Sequence, residues 1–104
     1  MTLHVFIHSR SKRAETVTLL DSGATENLIN ISYAQKLNLP IRRLTQERRL
    51  FNVDGTPNKA GTLKYHTDIV TRTGTKHMRQ RYFLTDLGIN QVILGYPWFA
   101  STQP

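Results

Sequence analysis

Asp21 is the residue around which chemistry can be argued: it stands in Leu19-Leu20-Asp21-Ser22-Gly23-Ala24, where an extended run ends and a turn begins. A peptide bond can be hydrolysed without a covalent intermediate when one carboxylate deprotonates a water and a neighbouring carboxylic acid protonates the carbonyl. Two carboxyls about 3 Å apart supply the required difference in protonation themselves, because they cannot both ionise cheaply and share one proton. The chain contains one Asp-Ser/Thr-Gly in 104 residues, too few for a second lobe. The second carboxylate is therefore expected from another copy across a two-fold axis. Gly23 allows a tight backbone and exposes amides near the carboxylate. Taken alone, Asp21-Ser22-Gly23 also reads as an ordinary turn, since these residues dominate turns. Ser22 lacks the Gly-x-Ser-x-Gly elbow of a hydrolase nucleophile.

Other chemistry-bearing residues form weaker patterns. His4 and His8 share a strand face but have no Cys or carboxylate set beside them, and His66 and His77 are equally isolated. All four read as solvated or edge residues, and neither a metal nor an organic cofactor is expected. With no Cys there is no thiol nucleophile and no disulfide. The 14 Lys and Arg against 7 Asp and Glu give a charge of +7, which raises the question of nucleic acid. Arg42, Arg43, Arg48, Arg49, Arg72, Lys76, Arg79 and Arg81 are scattered through several segments rather than interleaved with aromatics. They read as a solvated face, and nucleic acid is not an expected partner. No apolar run approaches the ~18 to 20 residues that span a bilayer, and the N-terminus lacks a signal-peptide layout, so no membrane partner is expected.

The elements that must position Asp21 are short and extended. Leu3, Val5 and Ile7 alternate with His4, Phe6 and His8 as a strand, and Glu15 to Leu20 resumes that alternation after a basic hairpin connection. Ser32 is placed to cap a short helix burying Ala34, Leu37 and Tyr33, which Pro40 closes. Arg48 to Val53 and Thr62 to Thr71 flank the turn cluster Asp54-Gly55-Thr56-Pro57-Asn58 as a long hairpin. Thr73-Gly74-Thr75 leads into a strand from Met78 to Leu84, and Asp86-Leu87-Gly88 turns toward Val92-Ile93-Leu94, which Gly95 stops. Pro97 suits the start of a terminal helical turn or two, with Trp98 and Phe99 as core or dimer contacts. Residues 1–104 read as a single, mainly β domain, a barrel or a sandwich.

Leu19-Leu20-Asp21-Ser22-Gly23-Ala24 resembles the active-site signature of retropepsins, the aspartic proteases of retroviruses and retrotransposons. Val92-Ile93-Leu94-Gly95 resembles the apolar-apolar-Gly segment that crosses behind the active-site loop in that family, and Leu50 to Thr62 resembles its flap. The stretch from Asp21 through Ile29 to Gly95-Tyr96-Pro97-Trp98-Phe99 looks like the gypsy-type retrotransposon branch. The resemblance implies a single-lobe closed barrel with one or two short helices and a flap hairpin, dimerising to pair two Asp21 carboxylates. It implies that Ser22 hydrogen-bonds across the dimer in an active-site loop with Gly23 and Ala24. Thr25 and Glu26, with Ala24, should then contact the bound peptide, and Ile93 should line an apolar pocket. Val53, Asp54, Gly55 and Thr56 should close over the substrate, although Asp54 and Pro57 stand where retroviral flaps are rich in Gly. The expected substrate is a Gag-Pol-like polyprotein, and the expected setting is intracellular, in the cytoplasm or in virus-like particles. In retroviral members a strand after the final helix builds much of the dimer sheet. Ser101-Thr102-Gln103-Pro104 leaves little to form it, so the dimer is expected to use other surfaces or to be weak. The competing expectation is a catalytically silent, monomeric retropepsin-like domain that serves binding or assembly.

Overall fold

A computed structural model describes residues 1–9, 13–51 and 56–102, with the backbone alone for Phe51 and 57–60. Its elements are β1 (Thr2–His8), β2 (Arg13–Leu20), β3 (Leu28–Asn30), α1 (Ile31–Lys36), β4 (Arg42–Phe51), β5 (Pro57–Thr73), β6 (Lys76–Thr85), β7 (Val92–Leu94) and α2 (Tyr96–Thr102). The sheet order is β1-β2-β7-β3-β6-β5-β4, and β1 also pairs with β5 through Phe6↔Arg72, Ile7↔Thr71 and His8↔Val70. That last pairing closes the ring into a barrel and leaves β4 outside it, hydrogen-bonded only to β5. Closure removes the exposed edges that an open sheet would present.

The alternation in β1 explains its place: Val5 and Ile7 are buried, while His4, Phe6 and His8 face outward. Val5 and Ile7 pack with Ile29, Leu39, Ile69, Tyr82, Leu84, Val92, Leu94 and Trp98 in the barrel interior. A second cluster joins Leu50 and Leu63 from the β4–β5 hairpin to Leu28 and Phe83 of the barrel, with Ile93 packed against it. The hairpin arm is thus held on the barrel by apolar contact as well as by its ladder.

Several sequence boundaries move. β4 begins at Arg42 rather than Arg48, and β5 at Pro57 rather than Thr62. Residues 42–49 are largely exposed and carry no apolar alternation; pairing with β5 makes them a strand, with a register shift between Arg43 and Arg48. Leu28–Asn30 is a strand of its own, stitched between β6 and β7. The cap of α1 is Asn30, not Ser32: Asn30 Oδ1 accepts from Ser32 N at 3.2 Å and from Ser32 Oγ at 3.0 Å. Asn30 Nδ2 also donates to the carbonyls of Gly88 and Asn90, so one side chain ties the helix start to the loop before β7. His66, expected at an edge, is buried under the β4 pairing with its Nδ1 3.3 Å from Asp68 Oδ1. His4 bonds Glu15 at 2.9 Å on the neighbouring strand. No described helix is long and apolar enough to cross a membrane.

Candidate functional site

β2 runs parallel to β7 through Leu19↔Ile93 and Leu20↔Leu94, and the pairing continues one residue past the strand end as Asp21 N donates to Leu94 O at 3.0 Å. Asp21 is therefore delivered where the parallel ladder stops and the chain must turn. The turn is fixed by Ala24 N donating to Asp21 O at 3.0 Å and by Gly23 N donating to Asp21 Oδ1 at 3.1 Å. The second bond restrains the carboxyl of the exposed Asp21 from its own turn. Asp21, Ser22, Gly23 and Thr25 are exposed, whereas Ala24 and Glu26 are partly covered.

Behind the loop, Gly95 has a requirement that sequence alone did not disclose. A Cβ on Gly95 would stand 2.8 Å from Ala24 O and closer still to Glu26 O, so only glycine lets β7 pass this close to the loop. Tyr96 N then donates to Ala24 O at 2.9 Å. Asn27, wholly buried, accepts from Gly95 N at 2.9 Å and donates to Gln80 Oε1 at 3.2 Å. Gln80 in turn donates to Pro97 O at 3.0 Å. Loop, crossing strand and terminal helix are therefore joined by one polar chain that is buried at Asn27 and partly exposed at Gln80. Asn27 and Gln80 were not singled out in the sequence; a buried Asn three residues beyond Ala24 has no signature of its own.

The remaining site residues divide. Ile93 is half-buried against Leu28, Leu50, Leu63 and Phe83, and so contributes to an apolar surface shared by the loop side and the hairpin arm. Glu26 Oε1 accepts from Arg48 Nη1 at 2.6 Å, and the Arg48 guanidinium lies 5.2 Å from the Phe83 ring centroid. Beside this pair a cavity of about 430 Å³ is lined by Glu26, Glu47, Arg48, Gln80, Arg81 and Phe83. Thr56 is exposed; Val53, Asp54 and Gly55 lie outside the described residues.

Among the described acids every carboxylate except Asp21 and Asp86 has a charged partner. Glu15 meets His4, Glu26 meets Arg48, Glu47 meets Arg43, and Asp68 meets Arg81 and His66. Asp86 Oδ1 accepts from Gly88 N within its own turn. The hydrogen bond from Arg81 holds the Asp68 carboxyl below its ordinary value despite partial burial. No group of three or more potential metal-ligating His or acidic side chains occurs among the described residues.

The model of the PEG10/RTL1 protease domain matches residues 17–104, from β2 through the loop, hairpin and terminal helix. The chain belongs to the PEG10/RTL1 protease domain family. Among solved structures, this PEG10/RTL1-type domain is similar to the EIAV protease complexed with the inhibitor HBY-793. The TM-score is 0.71 at 18% identity, covering 97% of this chain and 86% of that one. It is also similar to the retroviral protease-like domain of Ddi1 from Leishmania major, with a TM-score of 0.60 at 11% identity, covering 97% and 77%. A comparison with curated protein sequences gave no match. At these identities the structures establish a retropepsin fold, in agreement with the closed barrel expected from the sequence.

Proposed function

We propose that this domain is an aspartic endopeptidase that hydrolyses peptide bonds through a pair of Asp21 carboxylates brought together in a homodimer. The observation that supports this most is the placement of Asp21: it stands exposed in a turn at the end of the β2–β7 ladder with no ion pair among the described residues, and a second copy would supply the partner acid. An isologous contact at the exposed loop places like residues on like, which sets two carboxyls side by side with no additional sequence. Sharing one proton, the pair supplies both base and acid. The base form takes a proton from water, the acid form protonates the scissile carbonyl, and collapse of the gem-diol transfers a proton to the leaving amine. Ser22 would hydrogen-bond across the axis, Ala24, Thr25 and Glu26 would contact the extended peptide, and Ile93 would line a side-chain pocket. The hairpin carrying Val53, Asp54, Gly55 and Thr56 would cover it, excluding water. On this reading the substrate is a Gag-Pol-like polyprotein of a gypsy-type element, processed in the cytoplasm or in virus-like particles.

Peptide cleavage measured from mildly acidic to neutral pH tests the assignment, with a statine-type inhibitor and Asp21→Asn as controls. Asp21→Asn should lower kcat/KM by at least ~10² to 10⁴-fold, and specific activity should fall on dilution as dimers separate. Undiminished cleavage by Asp21→Asn would refute the dyad. A strict monomer by sedimentation, without cleavage, would favour a silent binding or assembly module instead.

A further inference from the structure

We propose that the outer face of β1, β5 and β6 binds single-stranded nucleic acid, with a backbone phosphate seated in a cleft between Arg42 and Arg79. The arginines are dispersed in sequence, but barrel closure sets outward residues in cross-strand rows. One row is Glu15–Phe6–Arg72–His77, and the next is Arg13–His8–Val70–Arg79. Phe6 lies within reach of two guanidiniums, Arg72 at 4.5 Å and Arg13 at 5.2 Å from its ring centroid. His8 and His77 meet edge to face with centroids 5.6 Å apart. These are flat, cationic and aromatic groups interleaved on one sheet face, which is the combination that tracks a nucleic-acid backbone and stacks its bases.

Beside them a cleft of about 350 Å³ is lined by His8, Ser9, Pro40, Arg42, Asp68 and Arg79. Among the described residues neither the Arg42 nor the Arg79 guanidinium has an ion pair or hydrogen bond, and His8 Nε2 is buried without a partner. The one acid in the cleft, Asp68, is neutralised by Arg81 at 2.9 Å and lies 3.3 Å from His66 Nδ1. Glu15, the acid of the first row, is bonded to His4. Two unpaired guanidiniums lining one cleft suit a phosphodiester, which guanidinium forks bind in bidentate fashion. An acidic peptide would use the charges but not the ring and guanidinium faces. The patch is remote from the proposed catalytic residue: Arg13 opens β2 and Asp21 follows its end, roughly 25 Å along the strand.

Fluorescence anisotropy with a labelled single-stranded RNA of about 15 nucleotides tests this, across a salt titration. Arg42→Gln/Arg79→Gln should weaken binding roughly tenfold or more and reduce the log–log salt slope by roughly 1 to 2. Arg72→Gln, which leaves the cleft intact, should weaken it less, while Lys36→Gln on α1 should bind like the parent chain. Circular dichroism melts confirm that each variant is folded. The proposal is overturned if the double variant binds like the parent or if Lys36→Gln loses as much. It is also overturned if polyglutamate at equal charge competes as well as unlabelled RNA, which would assign the face to an acidic protein segment. Asp21→Asn should bind RNA like the parent, so this outcome is independent of the peptidase test.

Discussion

At the scale of single residues, the loop carrying Asp21 depends on two others that do no chemistry. Gly95 is fixed by contact with the carbonyls of Ala24 and Glu26. Gly95→Ala must push the loop away from β7, at a cost of about 1 to 3 kcal/mol. Asn27→Ala leaves the buried Gly95 N–H without its acceptor, costing about 1 to 3 kcal/mol by the desolvation penalty of an orphaned donor. Thermal melts should show both variants several degrees less stable, since 1 kcal/mol shifts Tm by roughly 4 to 8 °C in a domain of this size. Because Asn27 and Gly95 form one bond, the two losses should not add. Additive losses would mean that the bond is not what couples them.

At the scale of elements, the β4–β5 hairpin is attached to the barrel beside the Asp21 loop at two kinds of contact. Leu50 and Leu63 enter the apolar cluster with Leu28 and Phe83, and Arg48 bonds Glu26. The ion pair is partly solvated, with side-chain exposures of 55% and 26%, so it should add under ~1 kcal/mol to stability. Its larger effect is positional, since it sets where the hairpin arm sits over Glu26. On the proposed reading, Arg48→Ala should change the melting temperature little but raise KM for a peptide substrate roughly three- to tenfold, with kcat less affected. An unchanged KM would remove the pair from substrate binding. Asn30 shows the same economy of means at the other side of the barrel, capping α1 while holding the loop that leads into β7.

At the scale of the whole molecule, closure of the barrel buries Tyr82 completely. Burial favours the neutral phenol, raising its pKa from the ordinary 10.0 to about 12. The unfolded chain releases that proton near pH 10 and the folded chain only near 12, so the stabilisation is intact below 10 and is lost as pH rises toward 12. The full loss, two pH units at about 1.4 kcal/mol each, amounts to roughly 3 kcal/mol. Urea unfolding between pH 9 and about 12 should show this decline, and Tyr82→Phe should flatten it. Of the 4 tyrosines, one should ionise late in the ultraviolet titration of the folded protein.

The sequence by itself determined the mainly β architecture and the strand end at which Asp21 stands. Alternation at Leu3, Val5 and Ile7 and the run from Thr16 to Leu20 follow from burying one face of a strand, and they deliver Asp21 to a strand end. Turn chemistry at Gly74 and Gly88 was equally legible, because both adopt a positive φ. What only the tertiary structure decided was set by partners distant in the chain. Leu28–Asn30 is too short for a period to show, and it is a strand because β6 and β7 flank it. Residues 42–49 have no buried stripe, so pairing with β5 alone defines them. His66 is buried where β5 pairs with β4 and β6, and the separate arginines share a face because β1 closes onto β5. Local patterns record which face of a segment is covered; they do not record what covers it, and that depends on contacts across the closed barrel.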